Sequence, residues 1–193
     1  MDIQHVNVKI YSSTPEAVDL DEAILIFHRW IRENVAEELL IDVADYSHVP
    51  AGPGVLLIGH QAAYSLEDGE EERPGLLYNA KTKRDGSNTD RIVHALRSAI
   101  NACSVLEGEK IWSQPVKFNA GDLAVIINDR ALAPNAPETF AALKDDLTTA
   151  LKRVFGDTAF ELSYEQGDPR RRFQVLIKSA GVLAPGDLAA AAK

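Results

Sequence analysis

The spacing of apolar and polar positions changes several times along the chain, and each change marks an element. Between Ile3 and Tyr11 the residues Ile3, Val6, Val8 and Ile10 are dense and β-branched, which predicts a first strand. Ser12 to Pro15 ends it. Asp19 with Glu22 three residues on has the form of a capping box, and Ile24, Phe27 and Ile31 then recur at helical spacing, predicting a helix over 20–34. Leu39, Ile41 and Val43 alternate with Asp42 in a second strand over 38–46.

The longest strand-like run is 55–66, entered through Pro50, Gly52, Pro53 and Gly54. An acidic connection over 67–75 leads to a strand at 76–83, and two strands joined so closely predict an antiparallel hairpin. Ile92, Leu96, Ala99, Ile100, Cys103 and Leu106 then trace one helical stripe. A second hairpin follows, with strands near 115–119 and 123–129 about an Ala120-Gly121-Asp122 turn. Pro137 opens a third helix whose buried face is Phe140, Leu143, Leu147, Leu151 and Val154. A last hairpin pairs 158–165 with 172–179 around Gly167-Asp168-Pro169, and 186–193 reads as a frayed tail.

Consecutive strands joined by short turns imply antiparallel pairing, so the expected class is α+β: mainly antiparallel sheet built from hairpins, with three helices packed on it. One compact domain over 1–185 accommodates all of these elements, with halves near 1–110 and 111–185 sharing a core. A faint echo between the halves, helix then strand then loop then strand, suggests a weak internal duplication without residue identity to support it.

Composition narrows the function. An apolar content of 46% supplies a core, while the net charge of −9 repels phosphate backbones, so nucleic acid is not an expected partner. A single cysteine, Cys103, excludes an intramolecular disulfide and fits a reducing, cytoplasmic setting. No apolar run approaches the roughly 20 residues of a membrane span, so no membrane association is expected.

Chemistry-bearing groups are scattered. Asp42, Asp45, His48 and His60 do not form a metal motif, because Asp42 and Asp45 point to opposite faces of a regular strand. Neither a metal nor a cofactor is expected. Gly52-Pro53-Gly54 precedes a strand rather than a helix, so it is a turn and not a phosphate cradle. Alternation along 55–66 places His60 on one face with Tyr64, and a symmetric hairpin brings Tyr64 to Tyr78, which defines a candidate ligand pocket with Lys81 nearby. Asn128, Asp129 and Arg130 at a strand end form a second polar cluster. The basic fragments Lys81, Lys83, Arg84 and Arg170, Arg171, Arg172 suit a small anionic ligand or an acidic partner.

No catalytic triad or nucleophile motif presents itself. The first expectation is therefore a non-catalytic protein that associates with itself or another protein through sheet edges and the first helix. The alternative is a small-molecule enzyme or ligand sensor with a pocket around His60, Tyr64 and Tyr78.

Overall fold

The computed structural model describes residues 1–36, 38–50, 52–67, 73–164 and 166–191. Eight strands form one antiparallel sheet: β1 Val6–Ser12, β2 Leu40–Tyr46, β3 Gly54–Gly59, β4 Ala62–Glu67, β5 Gly75–Ala80, β6 Phe118–Ile127, β7 Phe160–Ser163 and β8 Phe173–Ser179. Their order across the sheet is β2-β3-β4-β5-β1-β6-β8-β7. Among the described residues four α-helices accompany them, α1 Leu20–Glu33, α2 Asn88–Glu107, α3 Pro137–Phe155 and α4 Pro185–Ala191. The fold is α+β with an antiparallel sheet, as the turn spacing implies. The fourth helix occupies most of the segment expected to be frayed; the acidic run at 68–72 lies outside the described residues.

Strand alternation divides the sheet into two unlike faces. Val6, Val8 and Ile10 of β1 point to one side, together with Leu57, Tyr64, Leu66, Leu76, Tyr78, Val125, Val175 and Ile177, and all join one core cluster with Phe27, Trp30 and the α2 stripe. The Cys103 thiol belongs to that cluster, and burial pushes its pKa well up, so it is a small core residue. The other face carries Asn7, Lys9 and Tyr11 from the same strand, beside Leu77, Ala124 and Ile126.

Two predicted elements are built differently. The run 55–66 is a tight hairpin that reverses at His60–Gln61, not a single strand. Glu38 makes the reversal, since its Oε2 accepts from the Gln61 and Ala62 amides at 2.9 and 2.8 Å. Gly59 leaves room for this: a Cβ would come within 2.5 Å of that carboxylate oxygen and 2.9 Å of the Ala62 carbonyl. Conversely, Ala120-Gly121-Asp122 is no turn but part of the single strand β6, where a shift in the β1 register absorbs the extra residues. Asn119 Oδ1 satisfies the local amides of Gly121 and Leu183, both at 2.9 Å.

The helix ends follow local chemistry. Asp19 caps α1, but Glu22 reaches across to the Ser113 amide instead of back to the cap. Asn34 ends α1 in the left-handed region, φ 52°, a conformation that asparagine tolerates better than most residues. Ser87 and Asp90 form a complete capping box at the start of α2.

Candidate functional site

The core stripe of α2 is flanked by a second, polar one. His94, Ser98 and Asn101 follow at helical spacing, continued by Ala102 and Val105, and together they line one wall of a cavity of about 330 Å³. Tyr64 and Tyr78, cross-strand partners in β4 and β5, line it from the sheet, with ring centroids 5.5 Å apart in an edge-on arrangement. Trp30 and Val35 close the apolar side, and Glu38, Gln61 and Arg84 supply further polar groups.

At the centre of this wall Tyr78 Oη lies 3.3 Å from His94 Nε2, with the two rings edge to face at 6.1 Å. Burial raises the Tyr78 pKa above the ordinary tyrosine value, and the Glu38 charge adds to this while Ser98 and Arg84 oppose it. The phenol therefore stays protonated at neutral pH and can donate, either to a histidine nitrogen or to an occupant of the cavity.

The surrounding groups differ in how far they are committed. Trp30 Nε1 donates to Glu109 Oε1 at 2.7 Å, and Arg29 also pairs with that oxygen, so the apolar wall is braced from behind. Glu38 is occupied with the hairpin turn. The Arg84 backbone is bonded at both ends, its amide to Gln4 Oε1 and its carbonyl to Arg91 Nε, yet its exposed guanidinium meets no hydrogen-bond or ion-pair partner among the described residues. A second chamber of about 20 Å³ shares Gln61, Tyr78, Arg84 and His94 with the first.

The structure brings together only part of the set expected from sequence. The pairing of Tyr64 with Tyr78 is as expected. His60 is not with them: it is exposed in the β3–β4 reversal, donates its amide to the Leu39 carbonyl and does not line the cavity. The strand alternation that linked it to Tyr64 ends at Gly59. Lys81 turns its Nζ to the Gly59 carbonyl at 2.7 Å, bracing the same reversal. Asn128 pairs its amide with the His5 carbonyl. Asp129 clips the amino-terminal segment, accepting from the Gln4 and His5 amides and lying 2.8 Å from His5 Nδ1. Arg130 donates to the Arg170 carbonyl at 2.7 Å, fixing one loop to another.

His94, Ser98, Asn101, Glu38 and Gln61 are the site residues that sequence reasoning missed. The signal for three of them was present, since polar residues at 94, 98 and 101 form a helical stripe alongside the apolar one. Asp45 Oδ1 accepts from the Ser47 amide and hydroxyl in a local turn, and Asp42 Oδ1 from the Val43 amide. Among the described residues no group of three His, Cys, Asp or Glu side chains is placed to hold a metal ion.

Fold and cavity together define an α+β protein with an antiparallel sheet and a polar-lined pocket between the sheet and its longest helix. No known protein family matches the chain, and neither curated proteins nor solved structures give a match.

Proposed function

We propose that the chain binds a small organic ligand in the cavity between α2 and strands β4 and β5. The observation that supports this best is a polar wall, half-buried His94 and Ser98 with exposed Asn101, against the buried Tyr78 around a space of about 330 Å³. That volume lies at the small end of ligand pockets, so the occupant is a compact metabolite. Trp30 and Tyr64 suit an apolar or flat body, and the Arg84 guanidinium suits an anionic group on it. A protonated phenol beside an imidazole also has the parts for moving a proton to or from such a ligand.

A thermal-shift screen against a library of small metabolites tests this reading. Compounds that use the cavity stabilise the wild type and the His60→Ala variant, but not His94→Ala. The reading is lost if no compound stabilises the wild type, or if His94→Ala and His60→Ala respond alike.

Self-association is the second reading, and the edge strand β2 favours it. Leu39, Ile41 and Tyr46 on or beside that strand are 65%, 53% and 44% exposed, next to an unpaired row of backbone groups. A second copy added there would cover them. Light scattering of the wild type and an Ile41→Lys variant decides the point: a wild-type mass of one chain sinks it. The free, buried Cys103 accords with the cytoplasmic setting in which either reading operates.

A further inference from the structure

The cavity under α2 is polar at one end and apolar at the other. Along the wall that α2 supplies, His94, Ser98 and Asn101 come first, and Ala102 and Val105 follow. His94 and Val105 stand about 16 Å apart along the helix axis, at the usual rise of an α-helix. Arg84 belongs to the His94 end: its carbonyl accepts from Arg91 Nε at 2.7 Å, and it shares the second chamber with Arg91, His94 and Tyr78. Trp30 belongs to the Val105 end, because its indole donates to Glu109, just past the carboxyl end of α2. Val35 is held beside it, with its amide donating to the Trp30 carbonyl at 3.1 Å.

Each end leaves something uncovered. At the polar end the Arg84 guanidinium meets no hydrogen-bond or ion-pair partner among the described residues, and its charge acts on the Tyr78 hydroxyl, which keeps a proton to donate. At the apolar end Val105 is 37% exposed, whereas Trp30 and Ala102, which line the same end, are buried. An apolar body laid there would take Val105 out of water. Among the described residues Glu38 is the one carboxylate in the lining, and its Oε2 is taken up by the Gln61 and Ala62 amides. A ligand with one negative charge can pair with Arg84, while a second charge on it would be set against Glu38.

We infer that the cavity takes a monocarboxylic acid with an apolar body, its carboxylate at Arg84 and Tyr78 and its body along α2 toward Trp30 and Val105. This rests on the reading of the cavity as a ligand site and names the class of ligand. The guanidinium fork receives the two carboxylate oxygens, and the phenol donates to one of them. The body adds affinity as its methylenes or ring leave water against Trp30 and Val105.

Isothermal titration calorimetry of the full chain with two acids and their own amides tests the inference: octanoate with octanamide, and phenylacetate with phenylacetamide. In at least one pair the acid should bind the wild type at a single site, tighter than its amide by about tenfold or more. Arg84→Gln should abolish that preference and leave the amide's affinity unchanged, whereas Val105→Gln should weaken acid and amide alike. Arg97→Gln removes an exposed charge of α2 that does not line the cavity, and should change neither. All three substitutions are at exposed positions, and unliganded melting temperatures verify that the variants fold. Acids that bind no tighter than their amides overturn the inference, as do affinities that Val105→Gln leaves intact. A preference that Arg84→Gln keeps, or that Arg97→Gln also removes, overturns it too. Equal binding of acid and amide that His94→Ala abolishes overturns this inference alone and leaves the ligand-site reading standing. Absence of binding by all four compounds overturns it as well, and the metabolite screen then decides separately whether the cavity is a ligand site.

Discussion

The two faces of the sheet are made by the same strands and the same alternation, yet they serve opposite ends. On the helix side, Val8 and Ile10 are fully buried beneath α2 and belong to a continuous apolar cluster. On the other side Asn7 and Lys9, their immediate neighbours in sequence, are 0% and 5% exposed, on a face whose apolar cluster holds strand residues alone among the described residues. Neither Asn7 amide atom meets a hydrogen-bonding partner among the described residues, and a buried amide left so costs free energy. One face is shaped by stability and the other tolerates a loss of it.

The largest test of this contrast compares truncations on the two faces. Ile10→Ala removes fully buried methylenes from the helix side and should cost about 3 kcal/mol, whereas Leu176→Ala on the other side should cost roughly 1 kcal/mol or less. Equal losses in urea unfolding would break the comparison. Next comes Asn7→Val, which replaces the unpaired amide with a strand-favouring apolar side chain. It should raise stability by about 1 kcal/mol. A loss of stability instead would mean that the amide has a partner in solution.

The smallest effect is at the start of α2, the helix that carries the polar wall. The Ser87 hydroxyl, then the Ser87 amide, then Arg153 hold the Asp90 carboxyl at about 2, below the ordinary 3.8. The folded value is the lower one, so this carboxylate contributes stability above pH 3.8 that is lost as pH falls toward 2. Acid unfolding followed by circular dichroism should therefore show a shallower decline over that interval in Asp90→Asn than in the wild type. Identical declines would remove Asp90 from the acid sensitivity of α2.

Much of the architecture was legible because it follows from local rules. Asp19 and Ser87 announce helix starts, the α2 stripe announces its buried face, and the two tyrosines pair because the short hairpin between them fixes the register. The reversal at His60 was not legible, since the carboxylate that makes it belongs to Glu38, more than twenty residues earlier. For the same reason Lys81 reads as a free cation in sequence and proves to be a brace. In the site, 94, 98 and 101 could be read as a polar stripe, but not what they face.

The sequence by itself determined the class of fold, the alternation of β1 and the apolar face of each main helix, because these depend on neighbours within a few residues. Only the tertiary structure decided which polar residues meet. Tyr78 finds His94 because α2 crosses over β1 to join two parallel strands, and Lys9, Arg73 and Arg171 line one groove although they come from three separate segments. Such encounters depend on strand order and helix placement, which are set by burying the whole core at once and so are not written in any one segment.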